Sequence, residues 1–215
     1  SEDGKEALLT TEPYQKVLSL MKEIYSIPGM IREDGSYSLG WNEMLQEQRL
    51  AMFPTWLAAI TSRLITIEQE GGGLNWDIAS HPVFEDTPEY GREVEFQSLM
   101  VPPTAKNKDA AFQIIWAMTT DEIQEKMNRG NNLTILDRPD LRSEFAADTQ
   151  LYKDKNLEGI FTVSPAPTPR PSRHDAEMYS FLRQAFKAVI LEGVDVNSAL
   201  RAANEEANNY LKTVD

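Results

Sequence analysis

The chain has 215 residues, 41% of them apolar, which is enough for a folded core in one domain or two small ones. It contains no cysteine, so neither a disulfide framework nor a thiolate metal site can form. A net charge of −13 repels phosphate backbones and argues against nucleic-acid binding, leaving solubility as the ordinary reading of the acidity.

The first predicted element is a helix capped by Thr10 or Thr11, with Pro13 in its first turn. Val17, Leu18, Met21, Ile24 and Tyr25 recur at helical spacing, and Pro28-Gly29 ends the run. A polar loop with an Asp34-Gly35 turn follows, then a short helix over 42–48. Residues 49–53 read as a brief apolar strand. Thr55 is placed to cap a helix carrying Trp56, Leu57, Ile60, Leu64 and Ile67. Gly71-Gly72-Gly73 lacks the Lys-Ser/Thr of a phosphate-binding loop and reads as a connector.

Residues 76–80 read as a second strand. Residues 93–101 read as a third, with Val94, Phe96, Ser98 and Met100 alternating onto one face before Pro102-Pro103. Asp109 opens an apolar helix with Phe112, Ile115, Trp116 and Met118. Thr119 or Thr120 caps another, which stops at 129–132. A short helix over 139–148 and a strand over 161–163 precede a proline-rich, extended stretch over 164–172. Residues 174–192 form a long amphipathic helix stopped by Gly193, and Asn197 caps a final helix with Ala199, Leu200, Ala203, Ala207 and Leu211 inward.

No catalytic signature stands out. His81 and His174 are the only histidines, with no His-Glu-x-x-His spacing, so no metal site and no cofactor are expected. A Gly-x-Ser-x-Gly elbow is missing. Carboxylates are abundant, so counting them leaves a glycosidase dyad open. The side chains suited to a small polar ligand are Trp56 and Trp41 at helix starts, the Tyr179 and Arg183 pair one helical turn apart, and Glu95 and Gln97 on one strand face. Each has a plain alternative: a core tryptophan, a solvated helix face, or a polar outer strand face. Trp76 and Trp116 read as core.

Several segments, in order, resemble extracellular solute-binding proteins of family 1, the ligand-capturing components of ABC importers. Gln48-Arg49-Leu50-Ala51-Met52-Phe53 is similar to that family's Gly-Lys-x-Ala-Met strand, followed by a tryptophan, here Trp56. Asn75-Trp76-Asp77-Ile78-Ala79-Ser80-His81-Pro82 resembles the next strand. Ala105-Lys106-Asn107-Lys108-Asp109-Ala110-Ala111 and Thr119-Thr120-Asp121-Glu122-Ile123-Gln124 resemble a later helix pair, and residues 193–200 a C-terminal Gly…Ala-Leu motif. The likeness runs from about Pro13 to Leu211, although Glu93-Val94-Glu95-Phe96-Gln97 replaces a glycine-rich segment.

The resemblance implies an α/β fold: a periplasmic-binding-protein-like type II lobe, helix-rich with a small mixed sheet, forming a fragment of a two-lobed protein. It implies residues 1–94 and 130–215 in the C-terminal lobe and 95–129 packing with the N-terminal lobe. The implied function is binding of a carbohydrate between lobes by closure, without chemistry, for delivery to a membrane permease. The whole protein would be extracellular, as an anchored lipoprotein or periplasmic, with signal and anchor outside this chain. The chain alone would bind its sugar very weakly or not at all, and would tend to self-associate through the helix beginning at Asp109. The alternatives are a glycoside-active hydrolase domain and a helical protein-interaction module.

Overall fold

The computed structural model describes residues 1, 3–37, 40–94 and 98–214. It divides into two compact units, Ser1–Gln46 with Pro169–Asp215, and Glu47–Thr168.

In the first unit α1 (Glu12–Tyr25), α6 (Asp175–Leu191) and α7 (Val196–Val214) pack on one another, and the unit also holds the short α2 (Trp41–Leu45). In α7, Val196, Ala199, Leu200, Ala203, Ala207 and Leu211 fall at three- and four-residue intervals, so one stripe is buried. Ala185 and Val189 of α6 and Leu18 of α1 meet that stripe, with Ala7 and Leu9 completing the cluster. Two α7 asparagines one turn apart tie the leading segment down. Asn208 Oδ1 accepts the Ala7 N–H at 3.0 Å, and Asn204 Oδ1 accepts the Leu9 N–H at 2.8 Å. At the end of α6, Gly193 adopts φ +71, which lets Val194 N–H reach Ala188 O at 3.0 Å. The α7 cap is Asp195 rather than Asn197: its Oδ1 accepts the Ser198 N–H at 3.0 Å.

The second unit holds α3 (Leu57–Gln69), α4 (Lys108–Met118), α5 (Asp121–Arg129) and two 3-10 turns, Pro139–Glu144 and Leu157–Ile160. Its core is aromatic. Tyr152 lies edge-on to Trp76 at 5.9 Å and tilted against Phe145 at 5.8 Å, and Phe145 lies edge-on to Phe161 at 6.3 Å. Buried amides stitch the loop after α5. Asn128 Nδ2 donates to Leu141 O at 2.7 Å and its backbone carbonyl accepts the Ala146 N–H. Gln124 Nε2 donates to Met118 O, while its Oε1 accepts the Ile135 N–H.

The expected mixed α/β lobe is not what forms. Among the described residues there are helices and turns but no strand or sheet, only one isolated parallel bridge, Tyr90 to Ser164. The reason is visible in where the backbone groups go. Over 76–80 the Trp76 carbonyl accepts from Lys155 Nζ at 2.7 Å and the Ile78 carbonyl from Asn156 Nδ2 at 3.1 Å, so side chains replace a neighbouring strand. The segment 49–53 is apolar but not buried, and Met52 is 83% exposed. In 93–101, Val94, Leu99 and Met100 are exposed, and the remainder of that run includes residues outside those described. The 161–163 segment is a turn leading into the bridge at Ser164.

Candidate functional site

The second unit presents one aromatic platform. Thr61 in α3 donates to Leu57 O at 2.8 Å, its hydroxyl also bonds the Tyr152 hydroxyl, and Leu64 is buried three residues on. These contacts pin α3 to the aromatic core and so fix where it starts. The helix begins at Leu57, which puts the cap position on Trp56 and not on Thr55. Thr55 accordingly does not cap with its side chain: its hydroxyl is buried without a hydrogen-bond partner. Trp56 is 50% exposed.

Arg92 completes the platform. Its guanidinium carbon lies 5.0 Å from the centre of a Trp56 ring. The backbone beneath it is held by a short ribbon. Gly91 N–H donates to Ser164 O at 2.8 Å, Ser164 N–H to Glu89 O at 2.9 Å, and Ala166 N–H to Arg92 O at 3.3 Å. This approach needs a glycine, since a Cβ on Gly91 would come within 2.7 Å of Val163 Cγ2. Arg92 Nε also faces Glu93 Oε1 at 3.7 Å.

The first unit carries the other described candidates. Tyr179 stands out from α6, 64% exposed, and Arg183 Nε donates to its carbonyl at 3.4 Å, as one turn of helix allows. Tyr14 of α1 adjoins them. Its phenol is pushed above the usual tyrosine range, chiefly by burial and then by Tyr179 and Asp175 close by. Trp41 opens α2 and is half-buried. Its neighbour Glu43 is buried, accepts the Gly40 N–H at 2.8 Å and pairs with Arg32. Glu95 and Gln97 lie outside the described residues.

His174 is a packing residue. Its Nε2 accepts from Arg173 Nε at 3.0 Å and its ring meets Tyr210 edge-on at 5.8 Å. It borders an open depression of about 640 Å³ with Lys5, Leu8 and Arg170, which none of the described ligand candidates lines. Among the described residues no group of three or more His, Asp or Glu side chains could hold a metal ion. None of the helices described is long and apolar enough to cross a membrane.

Sequence reasoning singled out Trp56 but not Arg92 or Tyr14. Nothing in a loop Gly-Arg-Glu marks the arginine; the Tyr90–Ser164 pairing, a tertiary contact, brings it to the indole. Trp76 is buried as expected, whereas Trp116 is 63% exposed. Along α4 only Ala111 and Ile115 are even partly shielded, because the helix is packed on α5 along one narrow edge.

Comparison with models of protein families finds no match, and comparison with curated proteins finds none either.

Proposed function

We propose that the chain is part of the ligand-capturing component of an ABC importer, and that its ligand is a mono- or oligosaccharide. The sugar is bound without chemical change and passed to a membrane permease. Extracellular placement, as an anchored lipoprotein or a periplasmic protein, belongs to the same proposal. The observation that carries it is Trp56. It follows the 48–53 segment that resembles the importer proteins after the short Pro54-Thr55 link, and half of its surface is open. The CH face of a pyranose stacks on such a ring, while nearby donors take its hydroxyls. Tyr179 with Arg183 supplies a second exposed aromatic and donor pair. The proposal draws on these side chains and on segment order, and does not require a sheet-based lobe.

Saturation-transfer NMR with millimolar maltotriose and galactobiose is the test, followed by chromatography of the recovered sugar. Transfer to pyranose CH protons, with the sugar recovered intact, is expected. Shortened products would favour the hydrolase. A helical interaction module is the second reading, favoured by the exposure of Phe112, Ile114 and Trp116 on α4. It predicts no transfer from either sugar.

A further inference from the structure

We propose that α4 is the place where two copies of this chain pair, antiparallel and about a two-fold axis at Phe112; the inference is independent of the sugar reading above. Lys108, Phe112 and Trp116 stand four residues apart on α4. They form one row along the helix, each step turning about 40° round it. All three side chains are exposed, the two rings 63% each. Ile114 lies about 200° round from Phe112 and belongs to another side.

This row is its own complement. Turned over about Phe112, it sets Phe112 against Phe112 and Lys108 of each copy against Trp116 of the other. Each ammonium then meets the negative face of an indole, while the lysine stems cover the aromatic edges. Lys108 makes no ion pair among the described residues, so no carboxylate of its own chain competes for it. A parallel pair would instead oppose Lys108 to Lys108 and lose both contacts. Rows of four-residue spacing on both helices also form the commonest packing class, crossing at about −50°. Contact between identical patches closes at two copies. The pair is a weak one. A single row buries far less than the roughly 1,600 Å² of a standard interface. Two chains of charge −13 also repel each other. Pairing should therefore appear at concentrations on the order of 0.1 mM and tighten as salt screens the repulsion.

Sedimentation equilibrium over a concentration series, at low and at high salt, is the test. It compares the wild-type chain with Lys108→Glu, Trp116→Lys, the Lys108→Glu/Trp116→Lys double variant and Ile114→Glu. The wild type should fit a monomer–dimer equilibrium. Each single change in the row should raise the dissociation constant roughly tenfold, one by setting a carboxylate on the indole and the other by opposing two lysines. The double variant should regain severalfold over Trp116→Lys, because the new charges face each other across the axis; high salt should erase that gain. Ile114→Glu should leave the dissociation constant within about twofold of the wild type, since position 114 lies outside the contact. A strict monomer would overturn the proposal and leave the row to a different protein. Growth beyond dimers, or an equal loss in Ile114→Glu, would overturn it in favour of unspecific adhesion. A double variant no better than Trp116→Lys would overturn the antiparallel register. All these positions are exposed, so the variants should fold, and circular dichroism of each confirms that the loss is one of pairing.

Discussion

The guanidinium carbon of Arg92 lies 5.0 Å from the centre of a ring of Trp56, although the two stand 36 positions apart in sequence. Two local anchors create that meeting: Thr61 bonded to Tyr152 beneath α3, and Ser164 bonded on both sides of Tyr90. The platform is therefore a product of the second unit's own packing, and its removal should affect ligand contact before stability.

Trp56→Ala should weaken sugar binding by about 1–3 kcal/mol, the scale of aromatic stacking on a flat ring. Because half of the ring is already open, the thermal midpoint should move little. Parallel binding and melting curves check this. A large fall in the midpoint would mark Trp56 as a core residue instead.

Asn128 predicts the opposite pattern. It is 1% exposed and its amide donates to Leu141 O at 2.7 Å. Asn128→Ala leaves that carbonyl buried and unpaired, a loss of about 1–3 kcal/mol. Urea denaturation followed by tryptophan fluorescence should show the lowered midpoint, with little change for a surface control such as Asn132→Ala.

Leu200 is fully buried at the centre of the first unit. Leu200→Ala should cost about 2–5 kcal/mol through lost burial and the cavity left behind. Leu191→Ala, at an exposed position, should cost far less. Chemical denaturation of the pair gives the comparison, and equal costs would contradict the placement of the α6–α7 core.

Asp195 ties α7 to pH. Its carboxyl is held below the usual carboxylate range, first by the Ser198 N–H and further by other bonds at the helix start. The ionised form is therefore the one that the fold favours. Its contribution is complete above the unfolded-state value and fades as pH falls through the lower folded value. Asp195→Asn should keep a cap while losing that part of the acid dependence, and Asp195→Ala should lose both. Melting curves between neutral pH and pH 3 distinguish them.

Helix α4 exposes Phe112 and Trp116 one turn apart on one face, and Ile114 on another side, each more than 60% open. An apolar face of this kind drives association. Sedimentation of the chain should show self-association that Trp116→Glu reduces. The substitution should cost little stability, since the ring buries little of itself within this chain. A strict monomer in the wild type would contradict the expectation.

The helices were legible because each carried its own signals. Pro13 and Pro28-Gly29 bracket α1, and Gly193 marks the break between α6 and α7, so the periodic stripes of these helices were read close to their actual bounds. The strands were not, because alternation in 93–101 or an apolar run in 49–53 says nothing about a partner. Where a partner was wanted, side chains answered instead: Lys155 and Asn156 took the carbonyls of Trp76 and Ile78. The site was half legible for the same reason. Trp56 stands next to a recognisable segment, while Arg92 reaches it only through the pairing of Tyr90 with Ser164.

The most direct measurement is saturation-transfer NMR of millimolar oligosaccharides with the wild-type chain and with Trp56→Ala, the sugars being recovered and sized afterwards. The account predicts transfer to the pyranose CH protons in the wild type, its loss in Trp56→Ala, and sugars of unchanged length. Absence of transfer in the wild type, transfer undiminished by the substitution, or shortened sugars would contradict it.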